Sequence, residues 1–62
     1  MENFTPILTV PEVAQYLKMS KTKVYAMIEE RQLPYVRMGR NVRVREVDLK
    51  AFIEENVVAQ RS

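Results

Sequence analysis

The stretch Leu33–Arg45, LPYVRMGRNVRVR, constrains the fold more than any other part of the chain. Apolar and polar residues alternate on both sides of Gly39. Val36 and Met38 point one way and Tyr35 and Arg37 the other; then Val42 and Val44 share a face opposite Arg43 and Arg45. Period-2 alternation around a short glycine-containing turn is the pattern of a β-hairpin with one buried side. Keeping the four apolar residues on that side requires Met38 opposite Val42, with Gly39, Arg40 and Asn41 as a three-residue loop. A two-residue Gly39-Arg40 turn would set Arg37 against Val42 and mix the faces. The expected register places Arg37 opposite Arg43, Arg45 opposite Tyr35, and Arg40 at the tip. Like charges facing across strands are destabilising, by up to about 1 kcal/mol. Edge strands are usually guarded by lysine or mixed charge. Four arginines around one ribbon, with no acid inside it, instead suit a polyanionic partner.

The distribution of charge along the chain points the same way. Residues 18–45 carry Lys18, Lys21, Lys23, Arg31, Arg37, Arg40, Arg43 and Arg45 against only Glu29 and Glu30. The overall net charge of +2 therefore conceals a strongly cationic middle between two acidic flanks. With 62 residues the chain is expected to form one domain spanning 1–62, its ordered core about 7–57. Cysteine and histidine are both absent. That removes disulfides, thiolate and imidazole metal sites, and the commonest catalytic bases and nucleophiles. The pairs Glu29-Glu30 and Glu54-Glu55 are sequence neighbours that splay apart on a helix. The expectation is therefore a non-enzyme without cofactor or metal. No apolar run is long enough to span a membrane, and Met1-Glu2-Asn3 does not start a signal peptide, which predicts a cytoplasmic protein.

Three helices frame the hairpin. Met1-Glu2-Asn3 is expected to be loose, and Phe4, Ile7 and Leu8 to pack on the domain. Thr9 with Glu12 fits a capping box, with Pro11 in the first turn. Val10, Val13, Ala14 and Leu17 then form an apolar stripe, with Tyr16 at its edge. After Lys18-Met19-Ser20, Ser20 caps a second helix running to about Glu30, with Val24, Met27 and Ile28 inward. A third helix, Glu46 to about Val57, offers Val47, Leu49, Phe52, Ile53 and Val57 to the sheet, and residues 58–62 fray. Two helices joined by a three-residue turn, the second opening on Lys21-Thr22-Lys23, have the layout of a helix-turn-helix. Lysine and threonine there can bond to base edges or phosphates, and Ala26 permits close approach or touches a thymine methyl. Two lysines at a helix N-terminus also oppose the macrodipole, which argues for a use beyond packing.

Taken together, Leu8-Thr9, Ala14, Leu17, Ser20, Val24-Tyr25, Ile28, Leu33-Pro34, Arg37, Gly39-Arg40 and Asp48-Leu49 resemble the excisionase family of short helix-turn-helix proteins, related to the DNA-binding end of MerR-type regulators. The resemblance covers about residues 8–53. It implies a mainly α fold with a β-hairpin, a winged helix-turn-helix of order α-α-β-β-α. It also implies a second helix that reads the major groove and a wing on the backbone or adjacent minor groove. By position, Lys21, Thr22, Lys23 and Tyr25 would be helix contacts, and Arg37, Arg40, Asn41 and Arg43 wing contacts; Arg45 joins them as the last ribbon arginine. The implied function is that of an accessory DNA-binding protein assisting a tyrosine recombinase (integrase) in excising a mobile element. Cooperative self-association on repeated sites is expected, and the acidic third helix and tail are the expected docking surface for the recombinase. A phage- or plasmid-type transcriptional regulator is the alternative, and a protein-interaction adapter that uses no DNA is another. The family often has glycine where Lys18 and Arg31 stand. The chain is expected either to hold these residues in a left-handed conformation or to turn differently there.

Overall fold

The structure, a computed structural model, describes residues 6–59; the expectations for Met1–Asn3, for Phe4 and for the last three residues lie outside that range. The elements run β1 (Ile7–Thr9), α1 (Val10–Leu17), α2 (Lys21–Glu29), β2 (Val36–Met38), β3 (Asn41–Arg45) and α3 (Glu46–Glu55). This is the winged helix-turn-helix order with a short strand added ahead of the first helix. Thr9 accepts from the backbone N–H of Glu12, and the Glu12 carboxylate accepts from the backbone N–H of Thr9 at 2.8 Å, completing the capping box. Ser20 caps α2 through the N–H of Lys23 at 3.1 Å.

Both glycine-poor turns adopt the left-handed conformation. Lys18 has φ 61° and Arg31 has φ 62°. Around each, the backbone closes the end of the helix in the same way. Met19 N–H donates to Ala14 C=O and Lys18 N–H to Gln15 C=O; Gln32 N–H donates to Met27 C=O and Arg31 N–H to Ile28 C=O. These are paired Schellman-type bonds, which require a left-handed residue and favour glycine for it. A non-glycine residue held there is destabilised by roughly 1–2 kcal/mol, partly offset by the greater unfolded-chain entropy glycine would bring. Lys18→Gly should therefore raise stability by about 0.5–1 kcal/mol, read as a Tm increase of a few degrees in thermal denaturation. An unchanged or lower Tm would mean that the lysine makes compensating contacts.

The sheet is antiparallel, ordered β1-β3-β2. Its hairpin register corrects the sequence expectation. Arg37 pairs with Val42, Met38 with Asn41 and Val36 with Arg43, so the loop is the two-residue Gly39-Arg40 turn. The turn decides this. Gly39 has φ +63° and Arg40 is not left-handed, the pattern of a type II′ turn with glycine first. The three-residue loop assumed that the buried face needed Val36 and Met38. Instead β1 supplies that face: Leu8 pairs with Val44, and Ile7 and Thr9 lie opposite Arg45 and Arg43. Val36 and Met38 consequently lie on the outer face, Met38 47% exposed. The expected opposition of Arg37 to Arg43, and of Arg45 to Tyr35, does not occur. A three-residue strand whose last residue doubles as a helix cap leaves little alternation to read in the sequence.

One core unites the elements: Val10, Val13 and Ala14 of α1, Val24, Met27 and Ile28 of α2, Leu33, Val44 and Leu49. Leu8, Leu17, Val42, Phe52 and Ile53 pack around it. On α3, Leu49, Phe52 and Ile53 share the inward face at helical spacing. Val47 and Val57, expected to join them, are 48% and 61% exposed, because they sit off that stripe or beyond the helix end. Tyr16 is likewise exposed. Glu46 N–H donates to Pro6 C=O at 2.9 Å, tying the start of β1 to the start of α3.

Candidate nucleic-acid interface

The site is built on two elements that the core holds rigidly. Val24, Met27 and Ile28 seat α2, and its opposite side presents Lys21, Thr22, Lys23 and Tyr25, all exposed, with Ala26 half-buried among them. No acidic residue occupies the first turn of α2. The N-terminal amides and the two ammonium groups therefore reinforce one positive potential instead of neutralising it.

On the wing, Arg37, Arg40 and Asn41 are exposed around the turn. Arg37 Nε donates to Gly39 C=O at 3.4 Å, which draws its stem over the turn. Arg43 is half-buried on the outer face between its strand partners Thr9 and Val36, and its Nη1 donates to Val42 C=O at 2.9 Å. Arg45 is placed differently. Its guanidinium grips Asp48 in a two-point bond, Nε to Oδ2 at 2.6 Å and Nη2 to Oδ1 at 2.9 Å. This brace joins the end of β3 to the first turn of α3. The Asp48 carboxylate, chiefly through its hydrogen bond and then through its charge, raises the Arg45 pKa. A cation whose folded pKa is raised contributes stability below its unfolded pKa and loses it as pH rises through the folded value. For Arg45 that window lies in strong alkali, so the brace holds at every neutral pH.

Among the described residues the ion pairs are Arg45–Asp48 and Lys50–Glu46, both involving α3. Lys21, Lys23, Arg37, Arg40 and Arg43 thus make no ion pair with described carboxylates, nor do Lys18 and Arg31, two exposed cations that the residue pattern did not assign to the site. The mark they did carry was their occupation of turns where glycine is the easier residue. No helix among the described residues is long and apolar enough to cross a membrane.

Residues 7–57 match the family described as a helix-turn-helix domain. The chain is 48% identical over 50 residues to the Bacillus subtilis (strain 168) "Uncharacterized protein YvgK", a match covering 81% of this chain and 16% of that protein. It is also 48% identical over 40 residues to two Mycobacterium tuberculosis proteins, each named "Putative DNA-binding protein", MT0521 of strain CDC 1551 / Oshkosh and Rv0500A of strain ATCC 25618 / H37Rv. These matches cover 64% of this chain and 51% of each relative, so the chain spans at most about half the length of these relatives. No solved structure matches the chain.

Proposed function

Because the chain belongs to the excisionase-like helix-turn-helix domain family, we propose that it binds double-stranded DNA sequence-specifically and directs a tyrosine recombinase towards excision of a mobile element. The observation that carries the DNA-binding part is the set of cations without ion pairs among the described residues on two elements consecutive in the chain, Lys21 and Lys23 on α2 and Arg37 and Arg40 on the wing. In this reading α2 enters the major groove. Thr22, Tyr25 and Ala26 meet base edges or thymine methyls, while the lysines and the wing arginines, with Asn41 and Arg43, hold phosphates on either side. Arg45 serves by bracing the wing against α3.

One small domain with few base contacts binds weakly by itself. Affinity is gained on repeated sites through neighbouring copies or through the recombinase, which docks on the acidic outer side of α3 formed by Glu54 and Glu55. Such a role is exercised in the cytoplasm, where the DNA is. The test is an excision reaction with a tyrosine recombinase from the same genome and a plasmid carrying that recombinase's two attachment sites, combined with footprinting. Excised circles should form only when the protein is present, with protection over repeats flanking the crossover site. Protection over a promoter and no stimulation of excision would assign the domain to transcription control instead.

A further inference from the structure

Between the C-terminal end of α2 and the start of the wing lies an open recess of about 370 Å³, lined by Ile28, Arg31, Leu33, Pro34 and Tyr35. We propose that this recess seats the sugar-phosphate strand of bound DNA, with Arg31 gripping a phosphate and Tyr35 packing beside it, an inference that rests on the DNA-binding reading above.

Three observations meet here. The first is topological. A helix in the major groove and a wing at the adjacent minor groove are separated by the one phosphate strand that divides those grooves. That strand must cross the protein between α2 and β2, and residues 30–35 are the chain that joins them. The second is electrostatic. Arg31 is the one charged residue of the lining, no carboxylate contributes to it, and its guanidinium makes no ion pair among the described residues. The recess on the other side of Arg31, by contrast, includes Glu55, which disfavours an anion there. A guanidinium can hold two phosphate oxygens at once, and a tyrosine hydroxyl supplies another donor. The third is conformational. Arg31 sits at φ 62°, where the bonds from Arg31 N–H and Gln32 N–H to α2 would form with glycine at less strain. The strain holds a cation at the mouth of the recess, where glycine would leave none.

The charge and the strain make opposite predictions for one substitution, and that makes the proposal testable. Retention of a short fluorescein-labelled duplex of mixed sequence is followed by anisotropy across a salt series, alongside thermal denaturation. Arg31→Gly should bind about tenfold more weakly at low salt, and its slope of log K against log salt should be shallower by about 0.9, one phosphate contact. Its Tm should equal or exceed that of the parent. Arg31→Lys should keep the parental slope. If Arg31→Gly binds with parental affinity and slope, or if Arg31→Lys loses as much slope as Arg31→Gly, the recess is no phosphate seat and the broader DNA-binding reading stands. A parent protein that fails to bind the duplex even at low salt overturns both.

Discussion

Replacing Lys21, Lys23, Arg37 and Arg40 together with glutamine should abolish measurable DNA binding while leaving the domain folded. Four neutralised phosphates correspond to a slope of log K against log salt near −3.6. In the parent protein these four contacts alone should weaken binding roughly 150-fold as salt rises from about 50 to about 200 mM. The fourfold variant should keep only the shallow salt dependence contributed by the cations that remain, Arg31 and Arg43. Its folding should survive because none of the four side chains is buried or ion-paired among the described residues; the nearest thing to a tie is the 3.4 Å bond from Arg37 to the Gly39 carbonyl. Surface changes of this kind shift stability by no more than about 0.5 kcal/mol each. Lys50→Gln is the matching control: it removes a cation from α3, where Lys50 pairs with Glu46 at 3.8 Å, and should leave the slope untouched. Circular dichroism and anisotropy on the same samples decide the matter. A salt-independent parent, or a fourfold variant that binds like the parent, would remove the electrostatic basis of the interface.

The parts of the fold that were legible in the sequence are those governed by local rules. Thr9 with Glu12, and Ser20 before Lys21, announced both helix starts because a cap is a matter of a few neighbouring atoms. At Lys18 and Arg31, where the resembling family often has glycine, either a left-handed residue or a different turn was open, and both residues adopt the left-handed conformation. What could not be read locally was the sheet. Burying Val36 and Met38 would require the three-residue loop, but Leu8 of β1 supplies the apolar face from the far side of β3. A partner strand more than thirty residues away in sequence leaves no mark on the hairpin itself, whereas the Gly39-Arg40 dipeptide already favoured the tighter turn. Arg37 and Arg43 do not repel each other across the ladder, so a forced like-charge pair no longer supports a polyanionic partner. The support comes from the absence of ion pairs, among the described residues, around the α2 and wing cations. Arg45 shows the complementary lesson: its acid, Asp48, lies just outside the hairpin at a spacing of three, and the pair was visible in the sequence once α3 was known to begin at Glu46.

The buried residue on the connection between α2 and the wing is Leu33, and Leu33→Ala should be the most damaging single substitution in the domain. Leu33 belongs to no helix or strand, yet it is 0% exposed and packs in the core with side chains from α1, α2, β3 and α3. It follows the left-handed Arg31 by two residues, so the turn that ends α2 aims it inward just before the chain leaves for the wing. Truncating a buried leucine to alanine costs about 2–5 kcal/mol, the upper part applying where the surroundings cannot collapse into the gap. Here the side chain is fully buried within the single core cluster, which leaves little freedom to close in. A domain of this length has a total stability of roughly 3–9 kcal/mol, so the loss is about half or more of what holds it together. Urea denaturation should show a midpoint far below the parent's, and DNA affinity should fall only by the fraction unfolded. Leu33→Met, close in volume, should lose less than about 1.5 kcal/mol and bind DNA normally. A loss under about 1 kcal/mol for the alanine variant would mean that α2 and the wing are held in register by something other than this side chain. The helix and the hairpin could then move against each other, and a single rigid surface spanning both would no longer describe the interface.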